Sequence, residues 1–323
     1  MAMKEPTVNA LRILALLLLI APGCGPRTPI APPVPADGAE SSFPQTVTDS
    51  LGFTATLPTR PVRIISTAPA NTEILFAIGA GDQVIADTTF CTYPPEADKR
   101  PKIGGFAPKT ISTETILGLA PDLVLTTGGF QQEMTDGLRN LKLPVLSYDA
   151  KTLDEVVRNV RQLGVVTGRA PEANALADRL VARAEAVRKR TAAVPVEQRP
   201  RVLLLLGVEP LATAGPKSFT GEILELAGGR NLFADADQVY VPISEEEIVR
   251  RNPDAVVLWQ MGEPIERVNR IAQRPAWKDL TAVRQNRILH IDDDLLSRPG
   301  PRLFDGLEQL AEQLHPQGHS PGR

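Results

Sequence analysis

Ile111-Ser112-Thr113-Glu114-Thr115-Ile116 returns later in the chain as Ile243-Ser244-Glu245-Glu246-Glu247-Ile248. Continuing without a gap, Pro121-Asp122-Leu123-Val124 is matched by Pro253-Asp254-Ala255-Val256. Each copy reads as a Ser-capped helix, a Pro-Asp turn and a buried strand. Helix, turn and strand in the same register mean that the two halves are structural duplicates. A cleft between two such halves is the default place for a ligand.

Outward from the first copy, short apolar strands alternate with amphipathic helices. Arg63-Ile64-Ile65-Ser66 leads into a helix over Asn71 to Ile78, Gln83-Val84-Ile85-Ala86 follows, and Leu143 to Tyr148 closes the series. Residues 45–58 alternate around Asp49-Ser50-Leu51-Gly52 and predict a small opening hairpin. Between the copies the pattern changes to helix alone. Thr152 to Val166 and Pro171 to Val194 carry helical spacing, with Leu176, Leu180, Ala184 and Val187 on one side of the second. Its length makes a rod of about 35 Å. Pro195 and Pro200 end it, and Arg201 to Leu206 opens a second series running to His290-Ile291. The predicted fold is α/β, with two pseudo-duplicate lobes joined by one long helix and a ligand cleft between them. The expected limits are 45–150 for the first lobe, 151–198 for the helical segment, 199–315 for the second lobe and 316–323 for a disordered tail.

The amino-terminal stretch stands apart. Lys4 and Arg12 precede an apolar run from Ile13 to Ala21, which ends in Pro22-Gly23-Cys24. That run is too short for a mature transmembrane helix and fits a signal peptide over 1–24. Small residues before Cys24 resemble a bacterial lipobox, with Cys24 as the acylated residue; a plain signal peptide with an incidental cysteine is the alternative. Residues 25–44 contain Pro26, Pro29, Pro32, Pro33, Pro35 and Pro44, a composition that predicts an extended tether. The expected location is the periplasm or cell envelope, with the membrane reached through a lipid anchor. With Cys24 acylated, Cys91 remains as a lone thiol and is expected to be a half-buried spectator.

With 323 residues, the chain has 42% hydrophobic residues and a net charge of −3. That balance describes a soluble globular protein without the basic footprint of nucleic-acid binding. Catalytic signatures are missing: no His-Glu-x-x-His, no Gly-x-Ser-x-Gly and no Walker loop. Gly215-Pro216-Lys217-Ser218 lacks the glycine spacing of a phosphate loop and fits a turn before a helix from Gly221. An exported hydrolase using paired carboxylates such as Asp293 and Glu209 is the rival from another class; the reading here is not an enzyme and needs no cofactor. His290, His315 and His319 all lie near the carboxyl terminus, unlike free-zinc or manganese carriers with imidazoles on both lobes. His315 and His319, in a Pro/Gly-rich tail, are expected to be solvated. No metal site is assigned to Asp292-Asp293-Asp294 after His290, on the argument that alternation along a strand scatters these side chains.

From about Val47 onward the chain resembles the helix-hinged periplasmic binding proteins for vitamin B12 and iron siderophores. The resemblance rests on Arg63 to Glu73, Tyr93-Pro94-Pro95, Gly104-Gly105-Phe106 and the Pro121-Asp122 strand start. In the second lobe it rests on Leu224 to Gly229, Asn231-Leu232-Phe233 and Ser297-Arg298-Pro299-Gly300-Pro301-Arg302. Ala68-Pro69-Ala70-Asn71-Thr72-Glu73 looks most like the B12-binding branch. The resemblance implies the substrate-binding component of an ABC importer, which takes a corrinoid, or alternatively a ferric siderophore or haem, to a permease dimer. A loss of ligand binding, leaving a cell-surface interaction module, is the bland alternative.

A flat, partly apolar ligand needs aromatic walls and a few polar anchors. Loops at the carboxyl ends of the strands supply the expected ligand contacts: Ala68, Pro69, Phe90, Tyr93, Phe106 and Tyr240. Phe90 and Phe106 fall where the B12 branch places aromatics, whereas three further aromatic positions of that branch are Thr127, Ala212 and Val241 here. Asp294 and Arg298 match an acid and an arginine that contact ligand in the branch; a helix N-terminus favouring acids is the alternative reading. Glu114 and Glu246 match glutamates that meet permease arginines in the relatives, and are the expected docking pair. Acids near helix N-termini are also stabilising by themselves, and Glu247 is expected to complete a capping box with Ser244.

Overall fold

The computed structural model describes residues 42–208, 210–258, 270–271 and 273–316. Cys24, most of the 25–44 tether, Glu209 and residues 317–323 with His319 lie outside the described residues. No described helix is long and apolar enough to cross a membrane.

Strands β1 (Gln45–Thr48) and β2 (Thr54–Leu57) pair antiparallel as the opening hairpin. Its turn is closed by Asp49, which accepts the N–H groups of Leu51 and Phe53 at 2.9 Å. The first lobe then runs β3 (Ile64–Ser66), α1 (Pro69–Ala77), β4 (Val84–Ala86), α2 (Pro95–Asp98), α3 (Thr113–Gly118), β5 (Leu123–Thr126), α4 (Gln132–Asn140) and β6 (Val145–Ser147). The four strands β3 to β6 form one parallel sheet in the order β4-β3-β5-β6. Their side chains are almost wholly buried on both faces, as a covered parallel sheet requires.

Helices α5 (Leu153–Thr167) and α6 (Ala170–Ala192) follow as an antiparallel pair. Gly168, at φ 69°, ends α5 in the left-handed conformation that only glycine adopts cheaply. The 23 residues of α6 form the predicted rod, and Leu176, Ala177, Leu180 and Val187 bury one side of it.

The second lobe contains β7 (Arg201–Val208), β8 (Leu211–Ala214), α7 (Phe219–Leu226), β9 (Arg230–Asn231), β10 (Tyr240–Pro242), α8 (Glu245–Arg251), β11 (Ala255–Leu258), α9 (Thr281–Arg284), β12 (Ile288–His290), α10 (Asp293–Ser297) and α11 (Leu303–Leu314). Its sheet is mixed: β9, β7, β11 and β12 run parallel, while β8 pairs antiparallel with β7 and β10 antiparallel with β8 at the edge. Ser218 accepts the N–H of Gly221 at 2.9 Å and caps α7, so Gly215–Ser218 is the turn its spacing suggested, with the helix beginning two residues earlier.

One core joins both sheets to α5, α6, α7 and α11. Two satellite clusters cover the opposite faces, one around Ile65, Ile116 and Val124, the other around Ile248, Val256 and Trp277. Ile116 and Ile248, the closing residues of the repeated segment, thus perform the same packing task in their respective lobes.

Candidate functional site

The carboxyl ends of β3, β4 and β5 face the carboxyl ends of β7 and β12 across a cavity of about 620 Å³. The first lobe contributes Ala68, Pro69, Ala70, Phe90, Phe106 and Thr127; the second contributes Leu206, Asp293, Asp294, Ser297, Arg298 and Pro299. Backbone sets these positions. Ala68 and Pro69 lead directly from β3 into α1, where Pro at the first turn suits the helix start. Asp293, Asp294 and Ser297 belong to α10, which follows β12 after two residues.

The first-lobe wall is aromatic. The Phe106 ring stacks on Phe130, with centroids 5.4 Å apart and planes 13° from parallel. Phe90 meets Phe106 edge-on at 6.5 Å and 67°. Phe90 and Phe130 are nonetheless 40% and 60% exposed, so the wall holds apolar faces open to solvent, where such area marks a binding surface. Gln131 fixes the loops that carry it. This buried amide donates to the carbonyls of Phe106 at 2.9 Å and Thr67 at 3.1 Å, and accepts the N–H of Thr127 at 3.1 Å.

The second-lobe side is ionic. Arg298 Nη2 lies 2.6 Å from Asp294 Oδ1. Burial pushes the Asp294 carboxyl up from its ordinary range, while Arg298 pulls it back. The arginine also reaches across the cleft, its Nη1 donating to Thr92 Oγ1 at 3.3 Å. The cavity therefore offers a stacking face opposite a pair of opposite charges, an arrangement suited to a flat ligand with polar groups on its far side.

Among the sequence candidates, Ala68, Pro69, Phe90, Phe106, Asp294 and Arg298 come together in this lining. Tyr93 and Tyr240 do not. The Tyr93 ring lies beneath the Arg302 guanidinium, 3.8 Å from ring centroid to carbon. Tyr240 sits on β10, opposite Ala214, and is 63% exposed. Ala212 and Val241 occupy the same antiparallel strands and are likewise not cavity residues. Sequence reasoning missed Phe130 and Gln131. Phe130 lies in the loop after β5, where an aromatic is a readable signal; a single buried Gln gives no pattern.

Several expectations about individual groups need correction. Asp292, Asp293 and Asp294 are not scattered along a strand, because β12 stops at His290. They occupy the start of α10, where Asp292 caps the helix, and their carboxylate oxygens lie within 4.8 Å of one another. His315 is not solvated: its Nε2 pairs with the Gly228 carbonyl at 3.1 Å, and burial pushes its pKa down. Cys91 is fully buried, its Sγ 3.2 Å from the hydroxyls of both Thr72 and Thr88. Ser244 does cap α8 by accepting the Glu247 N–H, but the Glu247 carboxylate turns to Arg250 and Arg251 instead of completing a capping box.

A larger hollow of about 1220 Å³ opens at the amino ends of the second sheet, near Arg199, Arg230 and Arg287. Arg199 donates to the carbonyls of Thr191 and Val194, and Arg287 to Leu314. Thr191 and Leu314 close α6 and α11 and Val194 lies just beyond α6, so the arginines act there as helix C-caps. The cavity at the carboxyl ends is the better ligand site.

Residues 64–295 of this chain match a known family. The chain belongs to the periplasmic binding protein family. It is 31% identical over 325 residues to an uncharacterized ABC transporter substrate-binding lipoprotein of Bacillus subtilis, covering 97% of this chain and 98% of that one. Among solved structures, a periplasmic vitamin B12-binding protein of Vibrio cholerae matches with a TM-score of 0.69 and 29% identity, over 79% of this chain and 96% of the other. A periplasmic heme-binding protein from a Roseiflexus species matches with a TM-score of 0.68 and 30% identity, over 78% and 97%. As a periplasmic binding protein the chain is a substrate-binding component of an ABC transporter in the cell envelope, and not an enzyme.

Proposed function

We propose that this periplasmic binding protein captures a corrinoid and delivers it to an ABC permease dimer. The observation that carries the reading is the pairing of Phe90 and Phe106, the latter backed by Phe130, with the Asp294–Arg298 pair across one cavity. A corrinoid has a flat macrocycle to lie on the rings and amide side chains to meet the charges. Ala68 and Pro69 line the floor, and their small side chains let a ring system approach the start of α1. A ferric siderophore or haem is the second reading, supported by the heme-binding relative of the same fold. Titration of the purified protein with cyanocobalamin, haem and a ferric hydroxamate separates them: saturable binding of cyanocobalamin alone is the expected result, and saturable binding of only another chelate overturns it.

Glu114 and Glu246 are the proposed docking pair. Both are exposed on the first turn of their helices, α3 and α8. Backbone N–H and Ser244 hold the Glu246 carboxyl below its ordinary range, so it presents a negative charge. One carboxylate on each lobe suits a two-point contact with a symmetric permease. Acylation of Cys24 is the proposed anchor: Cys24→Ser is expected to move the protein from the membrane fraction to the soluble fraction, and unchanged membrane association refutes it.

A further inference from the structure

Glu73 lies on α1 in the first lobe with a side chain only 4% exposed, yet its carboxylate serves the second lobe. Oε1 accepts the backbone N–H of Arg302, and Oε2 accepts its Nε, both at 2.8 Å. Arg302 is the residue that precedes α11, so the carboxylate occupies the amino end of that helix, where its dipole favours negative charge. Burial pushes the Glu73 carboxyl above its ordinary range, and Arg302 with Arg298 opposes that push.

The same guanidinium is held from other directions. It lies over the Tyr93 ring of the first lobe, a cation–π contact, and its Nη2 stands 3.7 Å from Asp294 Oδ2. Asp294 is shared with Arg298, which itself touches Thr92 of the first lobe. Gly300 makes the approach possible, since a Cβ there would lie 3.1 Å from Glu73 Oε1 and 3.6 Å from the Ala70 carbonyl. Two arginines on the second lobe thus meet an acid, a ring and a hydroxyl on the first, immediately behind the cavity.

We propose that Glu73 and Arg302 form an ionic latch between the lobes, setting the width of the cleft and holding Asp294 and Arg298 toward the cavity. Both are positioning residues. The second half of the proposal rests on the ligand-contact reading of Asp294 and Arg298; the first half concerns the lobes alone and is readable without ligand. A buried charge stripped of its partner is strongly unfavourable, so Arg302 without the Glu73 carboxylate moves toward water and the lobes separate.

The test measures the distance between spin labels on Leu117→Cys and Val249→Cys, exposed residues on α3 and α8. It uses the full ligand-free chain carrying Cys24→Ser; the Cys91 thiol is buried and escapes labelling. The native background is expected to give one narrow distribution. Glu73→Gln is expected to lengthen the mean distance or broaden the distribution about twofold, as loss of an interface contact allows hinge motion. Gly300→Ala keeps every charge but crowds the carboxylate, and a smaller shift in the same direction is expected. An unchanged distribution in a Glu73→Gln protein that melts cooperatively overturns the latch. Where Glu73→Gln does not melt cooperatively, an unchanged distribution in Gly300→Ala overturns it instead. Failure of cyanocobalamin to bind leaves these distances untouched, so the latch and the corrinoid reading fail separately.

Discussion

The two copies of the helix-turn-strand repeat solve one problem with matching parts. In the first, Asp122 accepts the N–H groups of Val62 and Arg63 at 2.8 and 2.9 Å, and the Arg63 guanidinium closes onto the carbonyls of Leu119 and Ala120. In the second, Asp254 accepts the Arg201 N–H at 2.8 Å, and the Arg201 guanidinium closes onto those of Arg251 and Asn252. Even the strained residue recurs, with Ala120 and Asn252 both at φ 45°. Carboxylate and arginine together staple the end of a helix to the start of the neighbouring strand. Away from the staple the lobes diverge, since one supplies an aromatic wall to the cavity and the other an ionic pair. Shared scaffolding thus holds two unlike walls around one cavity.

The largest effect tests whether the symmetry is functional. Glu114→Arg with Glu246→Arg is expected to abolish uptake of the bound chelate by whole cells while its affinity in solution stays nearly unchanged. Normal uptake refutes docking through this pair, and a parallel loss of affinity shows damage to the fold. Next comes the asymmetry of the walls. Phe106→Ala removes the ring between Phe90 and Phe130, and stacking of this kind is worth about 1–3 kcal/mol. Affinity is expected to fall roughly ten- to hundredfold by titration calorimetry, with the melting temperature little changed. Undiminished affinity identifies a different wall. The smallest effect separates the two staples. Asp122→Ala removes the acceptor for two backbone N–H groups, and Asp254→Ala the acceptor for one. Losses of about 2 and about 1 kcal/mol are expected in urea unfolding, and equal losses mean that the Arg201 side chain makes up the difference.

Within the site, legibility followed the kind of signal each residue carries. Phe90 and Phe106 were discoverable because aromatics in loops at strand ends are rare in a chain with 4% aromatic residues. Tyr93 carried the same signal but lies outside the cavity lining, and only the fold shows that an arginine from the other lobe covers its ring. Asp292 to Asp294 carried two readings, a strand that scatters them and a helix N-terminus that gathers them, and the fold shows the second, with Asp292 as the cap.

By itself the sequence determined the duplication, the long rod between the lobes and the alternation of strands and helices. These follow from local spacing, capping residues and prolines, which act on the chain within a few residues of where they stand. It also pointed to loops that line the cavity, those of Ala68, Phe90 and Phe106, because these loops follow strands. Only the tertiary structure decided that β8 runs antiparallel beside β7 and β10 antiparallel beside β8, that Gln131 ties three loops together, and that Glu73 belongs to Arg302. Such pairings join residues far apart in the chain, and their energy comes from burial and partner geometry, neither of which exists until the lobes are packed.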